Sequence, residues 1–263
     1  MVMSDIPGID TTVANVARIY DYLLDGKDNF EADRAAAARL MELIPGSAEA
    51  CRLNREFLVR VVTHLASHGV RQLLDLGSGL PTRLNVHQVA RRANRDARVV
   101  YVDYDRVAVL HAQAILNDGG WVAAVEGDIR DPAGIIAKAA GTRLINFTEP
   151  VGVLMFAILH FIPDDDKPQQ IIGEFTDAVA PLSCLALSHV TGDAVRPETS
   201  EAAQRVYKEA SAAVIPRTRR QVAGLFAGLE MIGPGLTDIN DWPAATTGSG
   251  KPVVFYGGVG IKP

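Results

Sequence analysis

The spacing of hydrophobic residues changes near residue 70. Before it, apolar residues recur every three or four positions, as on one face of a helix, in segments 10–25, 31–44 and 47–68. After it, short apolar runs alternate with segments of helical spacing, which predicts a mostly parallel sheet covered on both faces. We therefore expect an N-terminal helical cap over residues 1–69, integral to the domain, and an α/β core over residues 70–263.

The apolar runs of the core predict seven strands. One is expected within 144–148 and the apolar stretch that follows, and the others at 71–75, 98–103, 122–126, 182–189, 229–232 and 253–259. The helices between and after them are expected at 86–94, 106–116, 133–140, 167–179, 197–213 and 217–228. In such folds ligands bind at the carboxyl ends of the parallel strands, so the functional residues are expected there.

The first predicted strand ends in a glycine loop, Leu73-Leu-Asp-Leu-Gly-Ser-Gly79. Gly77 and Gly79 permit a tight turn and a close approach of a ligand to the backbone. The helix expected after the turn presents free N–H groups and the positive end of its dipole. A dinucleotide fingerprint would place a third glycine where Thr82 stands. Taken alone, the loop is also compatible with a plain turn between strand and helix.

Acidic residues mark the ends of three successive strands. Asp75 ends the first, Asp103 ends the second, and Asp128 follows the third. An ionised carboxylate at the second strand suits a ribose diol, because it accepts two hydrogen bonds in a fork. An acid at the third suits an amino-substituted purine, and one at the glycine loop suits an ammonium group. Each acid alone could instead cap a helix, but the shared register favours one ligand.

This arrangement resembles the class I S-adenosylmethionine-dependent methyltransferases. Leu73 to Gly79 is similar to their first motif, Tyr101-Val-Asp103 to their second, and Gly127-Asp128 to their third. The resemblance implies a Rossmann-like, doubly wound, mostly parallel seven-stranded sheet. It also implies S-adenosylmethionine as the cofactor.

A narrower resemblance extends over nearly the whole chain, including the helical cap. It is to an actinobacterial methyltransferase family long catalogued as a domain of unknown function. The segments that carry it are Arg18 to Phe30, Gly79 to Thr82 with Asn85 and His87, and Leu159 to Asp164. This resemblance implies the cofactor and the fold and does not supply the methyl acceptor.

The resemblance further implies which residues contact the cofactor. From its methionine end through the ribose to the adenine, they would be Asp75, Gly77 and Gly79, then Asp103, then Tyr104, Asp128 and Ile129. The segment from Tyr22 to Phe30, and Arg52 with Asn54 or Arg55, would close over the cofactor as a lid. Tyr22 and Phe30 fit ordinary packing of the cap equally well, and the two arginines fit a solvated helix face.

The acceptor is expected beyond the fourth and fifth strands, near residues 146–150, His160 and His189. A histidine with a pKa near neutrality can take a proton from an acceptor hydroxyl or amine, so both histidines are candidate catalytic bases. A hydrogen-bonded structural histidine is the alternative for each. Glu149 is a third candidate, with orientation of the cofactor as its alternative role.

Composition narrows the class of partner. The 26 basic and 31 acidic residues give a net charge of −5, which provides no global attraction to nucleic acid or an anionic membrane. Arg217, Arg219 and Arg220 are expected on a solvated face. The longest apolar run, 151–162, is shorter than the ~20 residues of a membrane-spanning helix.

The remaining signals favour a cytoplasmic protein without a metal. Cys51 and Cys184 form no CxxC or Cys/His cluster, and the N-terminus has no basic segment typical of a signal peptide. Asp164, Asp165 and Asp166 precede a helix, where acids are expected from the dipole.

These patterns lead to one main hypothesis, an S-adenosylmethionine-dependent methyltransferase that acts on an unidentified small molecule. A non-catalytic S-adenosylmethionine-binding sensor or regulatory subunit is the alternative, since no single residue is unmistakably a catalytic base. A nicotinamide-dependent oxidoreductase is disfavoured by Thr82. The oligomeric state and the methylated atom are left open by the sequence.

Overall fold

The structure, a computed structural model, describes residues 10–81, 84–115, 120–193, 195–243 and 254–263. The helices are α1 (Val16–Leu23), α2 (Glu31–Leu43), α3 (Ser47–Ser67), α4 (Val86–Ala93), α5 (Arg106–Ile115), α6 (Pro132–Gly141), α7 (Pro168–Ala178), α8 (Pro197–Lys208) and α9 (Arg219–Gly224). The strands are β1 (Gln72–Leu76), β2 (Arg98–Asp103), β3 (Val122–Glu126), β4 (Gly152–Phe156), β5 (Cys184–Val190), β6 (Glu230–Met231), β7 (Thr237–Asp238) and β8 (Phe255–Ile261).

The described strands form one sheet in the order β3-β2-β1-β4-β5-β8-β6, with β7 paired to β8. Strands β1 to β5 are parallel, and β8 is antiparallel to β5, β6 and β7. The predicted Rossmann-like, mostly parallel sheet is therefore confirmed. The described strands number eight rather than the expected seven because β7 has only two residues, too few to produce an apolar pattern.

Helices cover both faces of the sheet because the central strands are buried on both sides. All five residues of β1 are buried, and consecutive side chains point to opposite faces. Leu73 packs in the cluster that contains Phe57 of α3, while Leu74 packs in the cluster that contains Ile135 of α6 and Phe175 of α7. The continuous apolar run in β1 is thus the sequence mark of a strand between two helical layers.

The fourth strand lies in the later part of the segment predicted to contain it. Residues 144–148 form an irregular connection, and β4 starts at Gly152, within the apolar stretch that follows. The Asn146 N–H donates to Gln72 Oε1 at 2.6 Å, and the Gln72 amide donates back to the Asn146 carbonyl. Because Gln72 opens β1, this connection lies at the amino end of the parallel strands.

A buried ion pair joins the first two helices of the cap. Arg18 Nε of α1 lies 2.8 Å from Asp33 Oδ2 of α2, and both side chains are almost fully buried. Asp33 also accepts the backbone N–H groups of Asn15 and Phe30. The cap shares an apolar cluster with α8, so its helices pack against a late element of the core.

Candidate functional site

A cavity lies at the carboxyl ends of the parallel strands, where β1 is flanked by β2 on one side and β4 on the other. The chain leaves β1 for β2 and later returns to the opposite side of β1 as β4, which opens a crevice between the connecting segments. Residues that follow β1, β2, β4 and β5 line the cavity floor, and residues of α1, α2, α3 and α8 line its roof. The helical cap therefore covers the edge of the sheet at which ligands bind in this type of fold.

The glycine loop after β1 has the geometry that the sequence predicts. Gly77 and Gly79 have φ angles of +69° and +64°, a backbone region that favours glycine. A Cβ atom on Gly77 would lie 2.6 Å from the Ile158 side chain, so glycine is also needed for the close approach of the segment after β4. The N–H groups of Gly77 and Ser78 both donate to the Val102 carbonyl, which attaches the loop to β2.

Two buried carboxyl groups face the cavity beside this loop. Asp103 accepts the N–H of Gly79 at 2.7 Å and that of Asp105 at 2.9 Å. Burial raises the pKa of Asp103 to about 6, although these N–H groups oppose the shift. Burial raises the pKa of Asp75 to about 7, partly offset by Arg55 and reinforced by the charge of Asp103. Two desolvated acids side by side favour a cationic or hydrogen-bond-donating ligand.

The structure brings most of the predicted cofactor residues into one cavity. Asp75, Gly77, Gly79 and Asp103 all line it, and so does Tyr104, whose side chain remains substantially exposed. The Tyr104 hydroxyl lies 3.5 Å from the Ser211 hydroxyl, so the ring stands between β2 and the segment after α8.

Asp128 and Ile129 are placed differently, outside the cavity lining. The Asp128 carboxylate forms a fork with Arg130, with Oδ1 3.0 Å from Nε and Oδ2 2.5 Å from Nη2. This pairing lowers the pKa of Asp128. Ile129 is buried in the apolar cluster that contains β1 and α6. Their predicted contact with adenine stays a prediction, and it requires Asp128 to exchange Arg130 for the ligand.

The expected lid residues Tyr22, Phe30 and Arg52 also lie outside the cavity lining. Phe30 packs under the Arg18 guanidinium at 5.3 Å, and Arg52 pairs with Asp25 at the surface. Residues of α1 and α3 that lie near Tyr22 and Arg52 in the sequence line the cavity instead.

The roof residues that do line the cavity follow the helical repeat of α1 and α3. Tyr20 and Asp21 contribute from α1, and Asn54 and Arg55 contribute from α3. Asn54 and Arg55 were among the expected residues, whereas Tyr20 and Asp21 were missed. The helical spacing of α1 indicates only that these two residues face the protein interior. It does not indicate that a cavity lies there.

His160 lines the cavity and is neutral. The Val190 N–H donates to His160 Nδ1 at 3.4 Å, so the proton of the neutral ring belongs on Nε2. Burial, together with the nearby His189 and Arg217, holds the pKa of His160 well below its usual value. A ring in this state offers a donor to the cavity and is a poor proton acceptor near neutral pH.

His189 has both ring nitrogens engaged inside the protein. Nδ1 donates to the Val190 carbonyl at 2.7 Å, and Nε2 accepts from Arg217 Nη1 at 2.9 Å. Burial lowers the pKa of His189 to about 4, and the ring has no exposed surface. The structure therefore does not bring His189 to the cavity.

The expectation that Arg217 lies on a solvated face is wrong. Its side chain is buried and donates to the carbonyls of Leu159 and Ile162 and to the Asp164 carboxylate. Arg217 thus holds the connection after β4 against His189, a role that depends on residues 28 to 58 positions away. Nothing in the local sequence distinguishes it from Arg219 and Arg220, which are exposed.

The expectation that residues 146–150 help form the acceptor site is also wrong. They precede β4 and lie at the amino end of the strands, across the sheet from the cavity. Glu149 is exposed there, where its carboxylate accepts from the Asn146 amide at 3.2 Å. The prediction fails because β4 starts only at Gly152, so residues 146–150 precede the strand.

The described residues offer neither a metal site nor a membrane-spanning helix. Within the described ranges, no group of three or more His, Cys, Asp or Glu side chains is arranged to hold a metal ion. Asp164 is instead paired with Arg217, and Asp166 lies 3.7 Å from Arg130. In the same ranges, no helix combines the length and the apolar character needed to cross a membrane.

Comparison with known proteins identifies the family. A family model described as S-adenosyl methyltransferase matches residues 4–263. The chain belongs to this family. The match confirms the predicted enzyme class and its cofactor, S-adenosylmethionine. No curated relative matches the chain.

Solved structures similar to this methyltransferase agree with the actinobacterial resemblance. A Thermobifida fusca protein solved as a candidate methyltransferase is 36% identical with a TM-score of 0.90, and the match covers 97% of each chain. A DUF574 family protein from Streptomyces avermitilis is 34% identical with a TM-score of 0.90, over 97% of this chain and 99% of that one. Human N-acetylserotonin methyltransferase, solved with S-adenosylmethionine, is 12% identical with a TM-score of 0.51, over 87% and 57% of the chains; it shares the fold.

Proposed function

We propose that this enzyme methylates a small molecule held in the cavity beneath the helical cap. The roof of α1, α2, α3 and α8 covers the strand ends that line the cavity. Asp21, Asp75 and Asp103 contribute acidic groups to the described lining, against the single guanidinium of Arg55. An acidic, roofed site suits a small acceptor better than a nucleic-acid backbone.

The paired buried carboxyls of Asp75 and Asp103 carry this proposal. Asp75 would face the ammonium group at the methionine end of the cofactor, beside the Gly77 loop. Asp103 would receive the ribose hydroxyls, because each of its oxygens accepts one backbone N–H and keeps a further acceptor site. Tyr104 would lie against the adenine. The two desolvated acids fit a cationic ligand.

Bound S-adenosylmethionine supplies a methyl group on a sulfonium centre, so the protein mainly has to position the acceptor. The neutral state of His160, with Nδ1 engaged by Val190, suits a hydrogen-bond donor from Nε2. We propose that His160 orients the acceptor rather than removing its proton. Positioning of the acceptor and the exclusion of water are then the main contributions of the protein.

Calorimetric titration with S-adenosylmethionine and S-adenosylhomocysteine tests the proposed site. We expect both to bind, and Asp103→Ala to weaken binding at least about tenfold, since a charge-assisted hydrogen-bond pair is lost. Asp131→Ala, which removes an acid that only caps α6, is the matched control and should leave the affinity unchanged. Absence of binding up to millimolar concentration, or equal effects of the two substitutions, would contradict the assignment.

A further inference from the structure

One face of α3 runs the whole length of the cavity roof. The lining residues on this helix recur every three or four positions: Ser47, Ala50, Cys51, Asn54, Arg55 and Leu58. At ~1.5 Å per residue, the span from the first to the last is about 16 Å. Arg55 is close enough to Asp75 to lower its pKa, so this end of the face lies over the cofactor residues. The cavity continues from there toward the start of the helix.

This second part of the cavity, the acceptor chamber, lies between α1, α2, the first half of α3, and α8. Six of its residues are Val16, Tyr20, Leu40, Cys51, Ala203 and Tyr207. Burial raises the pKa of Cys51 to about 12 and raises the pKa values of both tyrosines, so these groups stay neutral. The chamber wall is therefore apolar and uncharged, apart from a few hydrogen-bonding atoms.

A hydrogen-bond chain in the chamber fixes the orientation of the Asn54 side chain. The Tyr20 hydroxyl donates to the Cys51 carbonyl at 3.2 Å, so its oxygen is free to accept. The Asn54 amide nitrogen donates to that oxygen at 2.9 Å. Since only the nitrogen of the amide can donate, the Asn54 Oδ1 atom must point elsewhere.

Asn54 Oδ1 is a buried acceptor without a partner. The residue is 2% exposed, lines the cavity, and its Oδ1 accepts no hydrogen bond in the structure. Ser47 Oγ, seven residues earlier on the same helix face, is likewise buried and unpaired. Unsatisfied buried polar atoms are rare in folded proteins and call for a specific explanation. Both atoms belong to residues that line the same face of the cavity, and a ligand bound there is the explanation that we develop.

The charged residues of the cavity lining lie at the cofactor end of the cavity or already have other hydrogen-bond partners. Asp75 and Asp103 belong to the glycine loop and the end of β2, and Arg55 lies over Asp75. Asp21 accepts the Asp28 N–H and the Asn29 amide, both at 2.9 Å, which ties it to the segment after α1. An ionised acceptor in the chamber would thus find no counter-ion on the six wall residues named above.

We propose that the methyl acceptor is an uncharged, largely apolar molecule with a hydroxyl or N–H group that donates to Asn54 Oδ1. This proposal rests on the proposed function, because it takes the cofactor to occupy the glycine-loop end of the cavity. The rival donor is the ammonium group of the cofactor itself. The acceptor is the better match because the partner of Asn54, Tyr20, belongs to the cap, whereas Asp75 supplies a carboxylate for the ammonium group.

The test uses the enzyme saturated with S-adenosylhomocysteine and three probes of similar size: 2-naphthol, 2-methoxynaphthalene and 2-naphthoate. Binding is measured by calorimetry at pH 7.5. We expect 2-naphthol to bind about tenfold more tightly than the ether, which has no donor, and than the anion, which lacks a counter-ion. In Asn54→Leu, the preference for naphthol over the ether should fall to less than about twofold.

Thr63→Leu is the control, because Thr63 lies on the exposed side of the same helix and should keep the full preference. Equal binding of the three probes, no binding of any probe, or a preference that survives Asn54→Leu would overturn the proposal. A loss of S-adenosylhomocysteine affinity in Asn54→Leu, at unchanged melting temperature, would assign Oδ1 to the cofactor and overturn it as well. Failure of wild-type enzyme to bind S-adenosylhomocysteine would instead contradict the proposed function.

Discussion

Cofactor binding should release a proton from Asp75. Its pKa of about 7 in the free enzyme means that about 0.9 of the molecules carry a proton there at pH 6. A cationic ligand favours the carboxylate, so binding at pH 6 should release about 0.9 proton from this residue. The ionised fraction of Asp75 rises from about 3% at pH 5.5 to about 50% at pH 7, so ionisation of this residue alone should increase affinity about fifteenfold.

The assay is calorimetric titration with S-adenosylhomocysteine at pH 6 in two buffers of different ionisation enthalpy, which gives the proton count directly. Asp75→Asn keeps the shape and removes the titration, so it should release about 0.9 proton less than wild type. The release that remains in the variant, about half a proton, comes from Asp103, whose pKa is about 6. Equal proton release by the two proteins, or an affinity of the wild-type enzyme that does not change from pH 5.5 to 7, would refute the reasoning.

Three other outcomes follow from the structure. Gly77→Ala should weaken S-adenosylhomocysteine binding at least about tenfold, because its Cβ would lie 2.6 Å from a side chain after β4 at a φ of +69°. The imidazole NMR signals of His160 and His189 should show no titration between pH 5.5 and 8, because burial keeps both rings neutral. Arg217→Met should lower the free energy of unfolding in urea by about 3–5 kcal/mol, because the buried carbonyls of Leu159 and Ile162 lose their charged donor.

Matched controls separate these effects from general damage. Gly173→Ala, inside α7 with open space around it, should leave binding unchanged and slightly raise stability. Arg220→Met, at an exposed position, should change the free energy of unfolding by less than about 0.5 kcal/mol. The three expectations would be contradicted by normal binding in Gly77→Ala, by a histidine titration near pH 6.5, or by equal stability of the two arginine variants.

The sequence predicts the part of the site that depends on single strands and turns. Gly77 and Gly79 are needed where the chain turns, and Asp75 and Asp103 end apolar runs, so their common edge follows from the parallel topology. The sequence predicts the start of β4 less well, because apolar residues at 144 and 145 precede a polar connection. Because of this ambiguity, residues 146–150 are predicted at the carboxyl ends of the strands, whereas they lie at the amino ends.

The sequence could not predict contacts that join distant segments. Arg217 looks like Arg219 and Arg220 until the carbonyls after β4 are seen around it. Asn54 is one polar position on a helix, and its orphaned oxygen becomes evident only when Tyr20, 34 residues away, takes the amide nitrogen. Binding residues of this kind are defined by the tertiary arrangement rather than by local spacing.

The most direct test of the account is a crystal structure of the enzyme with S-adenosylhomocysteine. We predict that the ligand lies across the carboxyl ends of β1 and β2, with its amino group within hydrogen-bond distance of Asp75 and its ribose hydroxyls on Asp103. The space beneath Asn54 should remain free for the acceptor. Ligand density away from the glycine loop, or an amino group bound to Asn54 Oδ1 instead of Asp75, would contradict the account.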